Sequence, residues 1–493
     1  MSPRSGFWNI AALCLAAGVT TCGGGASSES ARPVRTLAVG IHHRDFWSEQ
    51  ASLDALGAQA LRLNFRWVDD PSSPAWSEYD AVVAQNRDKI LLVTLGTNNG
   101  SLASQTVPKI PETEADIQKL EAFAARVAER YGDAVTYYQL GNEVLVPDNW
   151  PCPPGREADP TVCRYGDYAR LLARVGSAVR SRDGDAEIVA AGFGGSIFRD
   201  ANDPGSAEPR PLALYDALAE HATGVLGAID VHNHHPWDQG VGIGTLIGAY
   251  RALHQTRYPE FGELRIVVTE NSTWADDPAG DFFGSQSERQ QAAYLVASVY
   301  DALSAGADLS VFGVLRDGLL GSPPLGDCRT DDDCGEGQAC AALRCHESLT
   351  VFNLNGLYFD PGKTYTGGAR SSGPKLAART FRAVSWLLED VPVGGVATDP
   401  ELRSQGIWRY DVGGGRPHVV VGWSGSGGRR SLTVPAPAGA DRVRIVSFLE
   451  NTAVEWPPRT PLEGFESSVV EAPGGFVSLD LEPYEPVVLL PDQ

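Results

Sequence analysis

The 493-residue sequence is poor in positive charge, and it lacks long apolar runs and repeats of fixed period. Forty Lys and Arg residues stand against 62 Asp and Glu residues, which gives a formal net charge of −22. A surface of that sign repels phosphate backbones and anionic headgroups, so we expect no nucleic-acid partner. No stretch beyond the N-terminus is apolar enough over about 20 residues for a membrane-spanning helix. The length allows two or three domains with at least one large core.

The N-terminus has the pattern of an export signal. Arg4 is the single positive charge of the n-region. The apolar run Ile10 to Val19 is too short to span a bilayer. Cys22 follows small residues and precedes a Gly/Ser tether, which resembles a bacterial lipoprotein cleavage site, although Thr21 is atypical there. We expect residues 1–32 to be signal and tether, in a secreted or cell-surface protein. Membrane attachment through a lipidated Cys22 and ordinary signal cleavage nearby are the two alternatives.

Cysteine is scarce, and its distribution agrees with export. Two of the eight cysteines, Cys14 and Cys22, lie in the signal. The remaining six form an even set, as expected for disulfide bonds in an oxidising compartment. We expect Cys152 and Cys163 to close one loop. Four more lie in a compact insertion around residues 327–346, where three pairings are open and zinc ligation is the rival interpretation: Cys328, Cys334, Cys340 and Cys345.

Strand-like and helical patterns alternate over residues 33–390. The helical segments include Thr113 to Tyr131, with Thr113 as N-cap, and Glu288 to Ser304. Eight strand–helix units predict an α/β fold, a (β/α)8 TIM barrel rather than an open sheet. The eight strand-like runs are Val34 to His42, Ala58 to Trp67, Lys89 to Thr97, Val135 to Glu143, Glu187 to Gly194, Ala228 to His234, Arg265 to Glu270 and Asp308 to Leu315.

The pattern changes near Val391. Over residues 391–493, short strands lie between Gly/Pro turns, and no helix is predicted. We therefore expect an all-β domain, a β-sandwich. Its five strand-like runs are Ile407 to Val412, His418 to Trp423, Ser431 to Val434, Arg442 to Leu449 and Phe476 to Leu481.

Two of the barrel runs end in a glutamate. Glu143 closes the fourth run and Glu270 the seventh, and both follow strongly apolar strands. A carboxylate there is costly to desolvate unless hydrogen bonds or function retain it. Because barrel active sites lie at the carboxyl ends of the strands, both side chains are candidates for one cavity. Two such carboxylates suit glycosidic bond cleavage. A buried structural Glu270 paired with Arg62 is the alternative.

Both glutamate motifs resemble those of glycoside hydrolase clan A, with families 5 and 39 the nearest. Tyr138-Gln139-Leu140-Gly141-Asn142-Glu143 is similar to the Asn-Glu motif of that clan, and Val267-Val268-Thr269-Glu270-Asn271 to its nucleophile strand. The resemblance covers roughly Val34 to Glu389. It implies a retaining TIM-barrel glycosidase without a cofactor, in which Glu143 is the acid/base and Glu270 the nucleophile. A C-terminal β-sandwich is a common appendage in the clan.

The resemblance also implies substrate-binding residues. Asn142 matches the Asn that hydrogen-bonds the sugar 2-hydroxyl, and Arg62 is similar to a second-strand Arg that supports the nucleophile. His232 and His234 match sixth-strand positions, although the clan usually has Tyr at the second one. The eighth strand, Val311 to Leu315, lacks the Trp that many members place there.

Histidine and tryptophan supply further candidates near the strand ends. His42 is a candidate subsite residue, with loop packing as the alternative. The cluster His232 to His235 has no carboxylate at ligand spacing, so we expect sugar binding rather than a metal site. Five tryptophans fall in predicted loops, where indole could stack on the apolar face of a pyranose or pack the loop; Trp237 and Trp274 are the preferred binding candidates. The five are Trp47, Trp67, Trp150, Trp237 and Trp274.

The sequence thus predicts a retaining O-glycoside hydrolase that acts on a β-linked glycan or glycoside by double displacement. Its expected partner is a carbohydrate substrate. Two alternatives belong to other classes: a non-catalytic carbohydrate-binding surface protein on a degenerate barrel, and a metal-dependent barrel hydrolase that uses the histidines.

Overall fold

The structure is a computed structural model that describes part of the chain. The described residues are 38–43, 49–99, 111, 113–144, 150, 165–194, 209–221, 231–235, 242–259, 265–271, 273, 288–315, 326–327, 338–341, 344–347, 357–359, 373–423, 428–451, 456–482 and 485–492. Several predicted features lie outside these residues: the export signal with Cys14 and Cys22, Trp47, Trp237, Trp274, Cys152, Cys163, Cys328 and Cys334.

One parallel sheet contains nine strands of the described residues. They are β1 (Ala38–His43), β2 (Ala60–Trp67), β3 (Ile90–Asn99), β4 (Val135–Leu140), β5 (Glu187–Val189), β6 (Phe193–Gly194), β7 (Val231–His235), β8 (Arg265–Asn271) and β9 (Ala307–Val314). Their order is β5-β4-β3-β2-β1-β9-β8-β7-β6, and β5 also pairs with β7. Every predicted strand-like run of this region therefore contains a strand, and the fifth run is divided into β5 and β6.

Helices alternate with these strands, which confirms the prediction of an α/β fold. They are α1 (Gln50–Leu56), α2 (Ala75–Gln85), α3 (Glu114–Tyr131), α4 (Asp167–Arg180), α5 (Pro209–His221), α6 (Ile243–Arg257), α7 (Glu288–Ser304) and α8 (Leu376–Leu387). Thr113 is the N-cap of α3, as predicted, because its hydroxyl accepts from the Asp116 amide at 3.1 Å. No helix within the described residues is long and apolar enough to cross a bilayer.

The parallel strands bury both faces, as a sheet covered by helices requires. Alternate residues of β2, such as Leu61 and Phe65, join the large core that includes the helices. Ala60 belongs instead to a small apolar cluster with Leu92, Val267 and residues of other strands. Because side chains alternate along a strand, Arg62 lies on the same face as Ala60. Arg62 is therefore a charged residue on a buried face.

Two small sheets lie between β9 and α8. One contains β10 (Gly326–Asp327), β11 (Gln338–Ala341) and β12 (Arg344–Glu347), and the other contains β13 (Tyr358–Phe359) and β14 (Gly373–Pro374). The antiparallel register of β11 and β12 places the backbones of Cys340 and Cys345 opposite each other. The disulfide bonds of this insertion stay a prediction.

The C-terminal region forms two antiparallel sheets. Its strands are β15 (Val396–Thr398), β16 (Ile407–Val412), β17 (His418–Trp423), β18 (Arg430–Pro435), β19 (Arg442–Asn451), β20 (Phe465–Glu471), β21 (Phe476–Leu481) and β22 (Val487–Pro491). Within the described residues, the larger sheet has the order β15-β16-β17-β22-β19-β20, and β18 pairs with β21.

The prediction of no helix in this region is wrong at one place. The short helix α9 (Pro400–Ser404) follows β15. Asp399 caps it, because its Oδ1 accepts from the amides of Glu401 and Leu402 at 3.0 and 3.1 Å. Pro400 occupies the first turn, where its missing N–H costs nothing.

The larger C-terminal sheet is packed on both faces. Val421 and Leu489 on one face join a core with Val434 of β18 and Leu479 of β21. Residues of the other face, including Tyr410, belong to the same large core as α7 and α8. The C-terminal sheet is therefore joined to the helices by a continuous apolar core.

Candidate active site

Arg62 is the centre of the candidate site. Its side chain is buried, at 1% exposure. The guanidinium donates to Glu270 Oε1 at 2.5 Å, to Asn142 Oδ1 at 2.7 Å and to Thr94 Oγ1 at 3.2 Å. One side chain of β2 therefore ties together β3, the turn after β4 and the end of β8.

Glu270 lies at an irregularity in β8. Val268 pairs with Ser310 of β9, but the next pair is Asn271 with Phe312, so β8 carries one extra residue between them. Such bulges bend a strand and re-aim a side chain. The Thr269 carbonyl in this stretch accepts from Arg62 at 3.4 Å. The same guanidinium thus binds the irregular backbone and the Glu270 carboxylate, which is 4% exposed.

Helix α7 supports the residues that follow Glu270. Tyr294 donates its hydroxyl to Asn271 Oδ1 at 3.0 Å, and Gln291 donates to the Thr273 carbonyl at 2.9 Å. Asn271 is fully buried. The carboxyl end of β8 is therefore held by Arg62 on one side and by α7 on the other.

The turn after β4 has a backbone conformation that side chains rarely adopt. Gly141 has φ +66° and Glu143 has φ +44°. Glycine adopts this left-handed region freely, but at Glu143 it strains the backbone and requires support from the surroundings. Non-glycine residues of this kind cluster at active sites and ligand-binding sites. Asn142 and Glu143 are both half-buried.

Buried polar side chains fix the turn after β4 by hydrogen bonds to its backbone. Gln139 donates its amide to the Gly141 carbonyl at 2.8 Å, and Tyr168 donates to the Leu140 carbonyl at 3.1 Å. Burial raises the pKa of Tyr168 far above its usual range, so the hydroxyl keeps its proton for this bond. The Tyr168 oxygen also accepts from the Ala191 amide at 2.7 Å. The end of β4 is thereby fixed to α4 and to the segment after β5.

Two tryptophans that the sequence places among the loop candidates belong to the core. Trp67 is the last residue of β2, and Trp150 packs edge-on against Tyr168 with ring centroids 5.2 Å apart. Both are almost completely buried. The loop prediction is wrong for Trp67, because β2 extends through it. Burial also argues against direct sugar stacking by either indole.

The histidine candidates lie on strands of the same sheet. The backbone register pairs His42 of β1 with Arg62, His232 of β7 with Ile266 and His234 with Val268. Their assignment to a sugar site stays a prediction, as does that of Trp237 and Trp274. Among the described residues, no group of three His, Cys, Asp or Glu side chains is arranged to hold a metal ion.

The structure brings Arg62, Asn142 and Glu270 into direct contact and places Glu143 next to Asn142. Sequence reasoning missed the supporting residues Thr94 and Gln139. The sequence contained a pattern that identifies both. Each is a polar residue within an apolar strand, and each lies an even number of positions from residues that face the same buried side of the sheet.

Comparison with known proteins supports the fold resemblance. No family model and no curated protein matches the chain. Among solved structures, a glucosidase from Croceicoccus marinus matches with TM-score 0.54 and 14% identity, covering 93% of this chain and 97% of its own. CelM2, a bifunctional glucanase-xylanase from a metagenome library, matches with TM-score 0.54 and 13% sequence identity. The match covers 94% of this chain and 97% of the CelM2 chain.

A third structure gives the same result. A 4-O-alpha-L-rhamnosyl-beta-D-glucuronidase from Fusarium oxysporum 12S matches with TM-score 0.52 and 13% identity, over 93% of this chain and 98% of its own. At such identities the likeness concerns the fold. The resemblance to glycoside hydrolases is therefore confirmed at the level of the fold.

Proposed function

We propose that this chain is a retaining O-glycoside hydrolase that acts on a β-linked glycan or glycoside, with Glu143 as the acid/base and Glu270 as the nucleophile. The single observation that carries the proposal is the Arg62 guanidinium, which binds Glu270 and the side chain of Asn142 at once. Glu143 is the next residue after Asn142. The hydrogen bonds of Arg62 therefore join Glu270 to the residue that precedes Glu143, which supports a common site for the two predicted glutamates.

The strand pairings support a (β/α)8 barrel as the scaffold. All pairings from β1 to β9 are parallel, and the contact of β5 with β7 joins the two halves of the series. Glu270 lies at the carboxyl end of β8 and Glu143 follows the carboxyl end of β4, and barrel enzymes carry their active sites at these ends of the strands. The two C-terminal antiparallel sheets, packed through a shared apolar core, support a β-sandwich over residues 391–493.

Glycosylation is the first step of the proposed reaction. The Glu270 carboxylate attacks the anomeric carbon, the bond from that carbon to the departing oxygen breaks, and Glu143 gives its proton to that oxygen. Arg62 orients Glu270 through Oε1 and supplies a positive charge beside the anionic nucleophile. Because Arg62 is almost fully buried, this supporting role suits it better than direct contact with the sugar.

Deglycosylation completes the reaction. Glu143 takes a proton from water, the water oxygen attacks the anomeric carbon, and the bond to Glu270 breaks. Two inversions at the same carbon leave the product with the configuration of the substrate. Asn142 accepts from Arg62 through Oδ1, so its amide N–H groups are directed to other acceptors, in agreement with the predicted bond to the sugar 2-hydroxyl.

The substrate is proposed as a carbohydrate class. The three similar structures are named for action on different sugars, and their shared fold supports glycoside hydrolysis without selecting a sugar. His42, His232, His234, Trp237 and Trp274 are proposed as further substrate contacts. The predicted export of the protein, in a secreted or lipid-anchored form, agrees with action on a glycan outside the cell.

The test is a screen of chromogenic β-glycosides and of plant, fungal and bacterial polysaccharides. Proton NMR of the first product then gives its anomeric configuration. Hydrolysis with retention is the expected result. A first product of inverted configuration would overturn the double-displacement mechanism. Binding to glycans without hydrolysis, even at high protein concentration, would favour the carbohydrate-binding alternative.

A further inference from the structure

Gln139 is a buried amide inside β4, two residues before the left-handed turn. Its side chain is fully buried, and its Nε2 donates to the Gly141 carbonyl at 2.8 Å. In the sheet Gln139 pairs with Thr94 on one side and Val189 on the other. An unpaired buried amide costs about 1–3 kcal/mol, so this bond helps to justify glutamine within an apolar strand.

The bond acts on the peptide group that joins Gly141 to Asn142. The preceding peptide is fixed by other contacts, since the Gly141 amide donates to the Leu95 carbonyl at 3.2 Å and Tyr168 donates to the Leu140 carbonyl. The Asn142 side chain is fixed by Arg62. The bond from Gln139 therefore fixes the orientation of the Gly141–Asn142 peptide, through which the end of β4 connects to Glu143.

We propose that Gln139 is a positioning residue that sets the direction from which the Glu143 carboxyl meets the departing oxygen. The inference rests on the proposed function, because it takes the proton transfers of Glu143 as given. A general acid must lie within hydrogen-bond reach of the atom it protonates. A displacement of about 1 Å can lower a rate about a hundredfold.

The test is Gln139→Met, which keeps the approximate size of the side chain and removes the donor. The probes are the 2,4-dinitrophenyl and phenyl β-glycosides of the sugar that the screen identifies. Dinitrophenolate departs without protonation, but phenol needs the proton of Glu143. We expect kcat/KM to fall about ten- to a hundredfold for the phenyl glycoside. For the dinitrophenyl glycoside we expect less than about a threefold change, since this substrate bypasses general acid catalysis.

Gln59→Met is the matched control. The Gln59 amide also donates to a backbone carbonyl, that of Ser385 at 3.0 Å, but it lies before β2 and contacts α8. The ratio of the two rates should stay unchanged in this variant. Gln139→Glu is the second variant, measured across pH. A protonated carboxyl can donate to the Gly141 carbonyl and an ionised one cannot, and burial raises the pKa of a carboxyl. The preference for the dinitrophenyl glycoside should therefore be small where the new carboxyl keeps its proton, and it should grow as the pH rises and the carboxyl ionises.

The outcomes separate this inference from the proposed function. Equal losses on both substrates in the Gln139 variants, with a lowered unfolding midpoint, would mean that Gln139 is structural and would overturn the inference. Glu143→Gln is measured alongside. If it shows the leaving-group dependence and the Gln139 variants do not, the inference alone is wrong. If Glu143→Gln shows none, the proposed function fails.

Discussion

Two buried ion pairs lie in different regions of this molecule, and they are built in opposite ways. In the candidate active site, the cation is surrounded by acceptors. Arg62 donates to Glu270, Asn142, Thr94 and the Thr269 carbonyl. Four of the five N–H groups of the guanidinium are thereby bound to protein groups, which fixes the guanidinium in place.

The second pair lies where α7 meets the C-terminal sheet, and there the carboxylate is surrounded by donors. Asp301 accepts from Arg403 at 2.6 and 3.0 Å, from the Tyr410 hydroxyl at 3.0 Å and from the Gly244 amide at 2.6 Å. Both oxygens are used. Burial raises the pKa of Asp301, and the Arg403 charge opposes that rise. A Cβ at Gly244 would lie 3.0 Å from Asp301 Oδ1, closer than an ordinary van der Waals contact.

Burial of a charged group does not by itself identify an active site. The Asp301 carboxylate accepts hydrogen bonds on both oxygens and thereby joins α7 to α6, α9 and β16. A cation fixed by several acceptors, in contrast, can hold a carboxylate in place for a reaction. The two pairs should therefore respond differently to substitution, one in activity and the other in stability.

The largest effect is expected from removal of the two glutamates. Glu270→Ala and Glu143→Ala should each lower kcat about a thousandfold or more, because each removes a group that makes or breaks a bond in the proposed reaction. Azide should partly restore turnover, giving a glycosyl azide of inverted configuration with Glu270→Ala and of retained configuration with Glu143→Ala. Rates and product NMR check this.

The control for this prediction is Glu121→Gln on α3, since Glu121 pairs with Arg174 at the surface. Its activity should equal that of the unchanged protein. Full activity in both glutamate-to-alanine variants would exclude the assigned roles.

The next largest effect should be a loss of stability on substitution of Asp301 at the junction, the contact between α7 and the C-terminal sheet. Asp301→Asn places an amide NH2 against a ring of donors, so the free energy of unfolding should fall by about 3 kcal/mol. The kcat of the folded protein should change less than about twofold, because the described side-chain contacts of Asp301 are with Gly244, Arg403 and Tyr410, away from Arg62 and Glu270. Denaturant unfolding and kinetics measure the two quantities. Glu270→Gln should show the reverse: large loss of kcat and smaller loss of stability. The opposite ranking would break the comparison.

A pH-dependent effect should come from His418 beside the same junction. Its Nδ1 contacts the Arg416 carbonyl, which can only accept, so Nδ1 carries the proton and Nε2 accepts from the Tyr300 hydroxyl at 2.8 Å. Burial lowers the pKa of His418 to about 4. Between about pH 6.5 and about pH 4, His418 is therefore protonated in the unfolded chain and neutral in the folded chain.

Stability should consequently fall as the pH drops from about 6.5 to about 4, by up to about 3 kcal/mol from this residue. His418→Gln should flatten the profile of unfolding free energy against pH over that window. Asp301 contributes with the opposite sign, but it is present in both proteins and cancels in the difference. Parallel profiles for the two proteins would show that His418 does not titrate in this way.

The smallest effect is expected from two glycines with the same backbone angle. Gly141 in the site turn has φ +66°, and Gly57 after α1 has φ +64°. An added Cβ meets Trp150 at an ordinary 3.6 Å at Gly141 and nothing within 4 Å at Gly57. Gly141→Ala and Gly57→Ala should each cost about 1–2 kcal/mol of stability. Only Gly141→Ala should also lower kcat severalfold, since it turns Glu143. Equal kcat in both variants would show that the turn tolerates movement.

Periodicity predicted the elements whose buried faces are regular. The bounds of α7, β16, β17 and β21 agree with the sequence prediction because each carries a clear apolar pattern between turn residues. β20 was missed because most of its residues are exposed and polar. β22 was missed because Pro486 and Pro491 flank its short apolar run, and proline normally argues against a strand.

For the site, the sequence predicted the residue types at the strand ends. It did not predict their geometry. The extra residue in β8 that accompanies the Glu270 contact with Arg62 depends on the pairing with β9. The left-handed φ of Glu143 occurs next to tertiary contacts of Gln139 with Gly141 and of Arg62 with Asn142. Such features arise from tertiary contacts, which local patterns do not encode.

Covalent trapping of the nucleophile would test the proposed role of Glu270 directly. A 2-deoxy-2-fluoro-β-glycoside with a dinitrophenyl leaving group, made on the sugar identified by the screen, slows the second step and accumulates the glycosyl-enzyme. Peptide mapping by mass spectrometry should then find one sugar on Glu270, with Glu143 unmodified. A label on any other residue, or continued turnover with no label at all, would contradict the account.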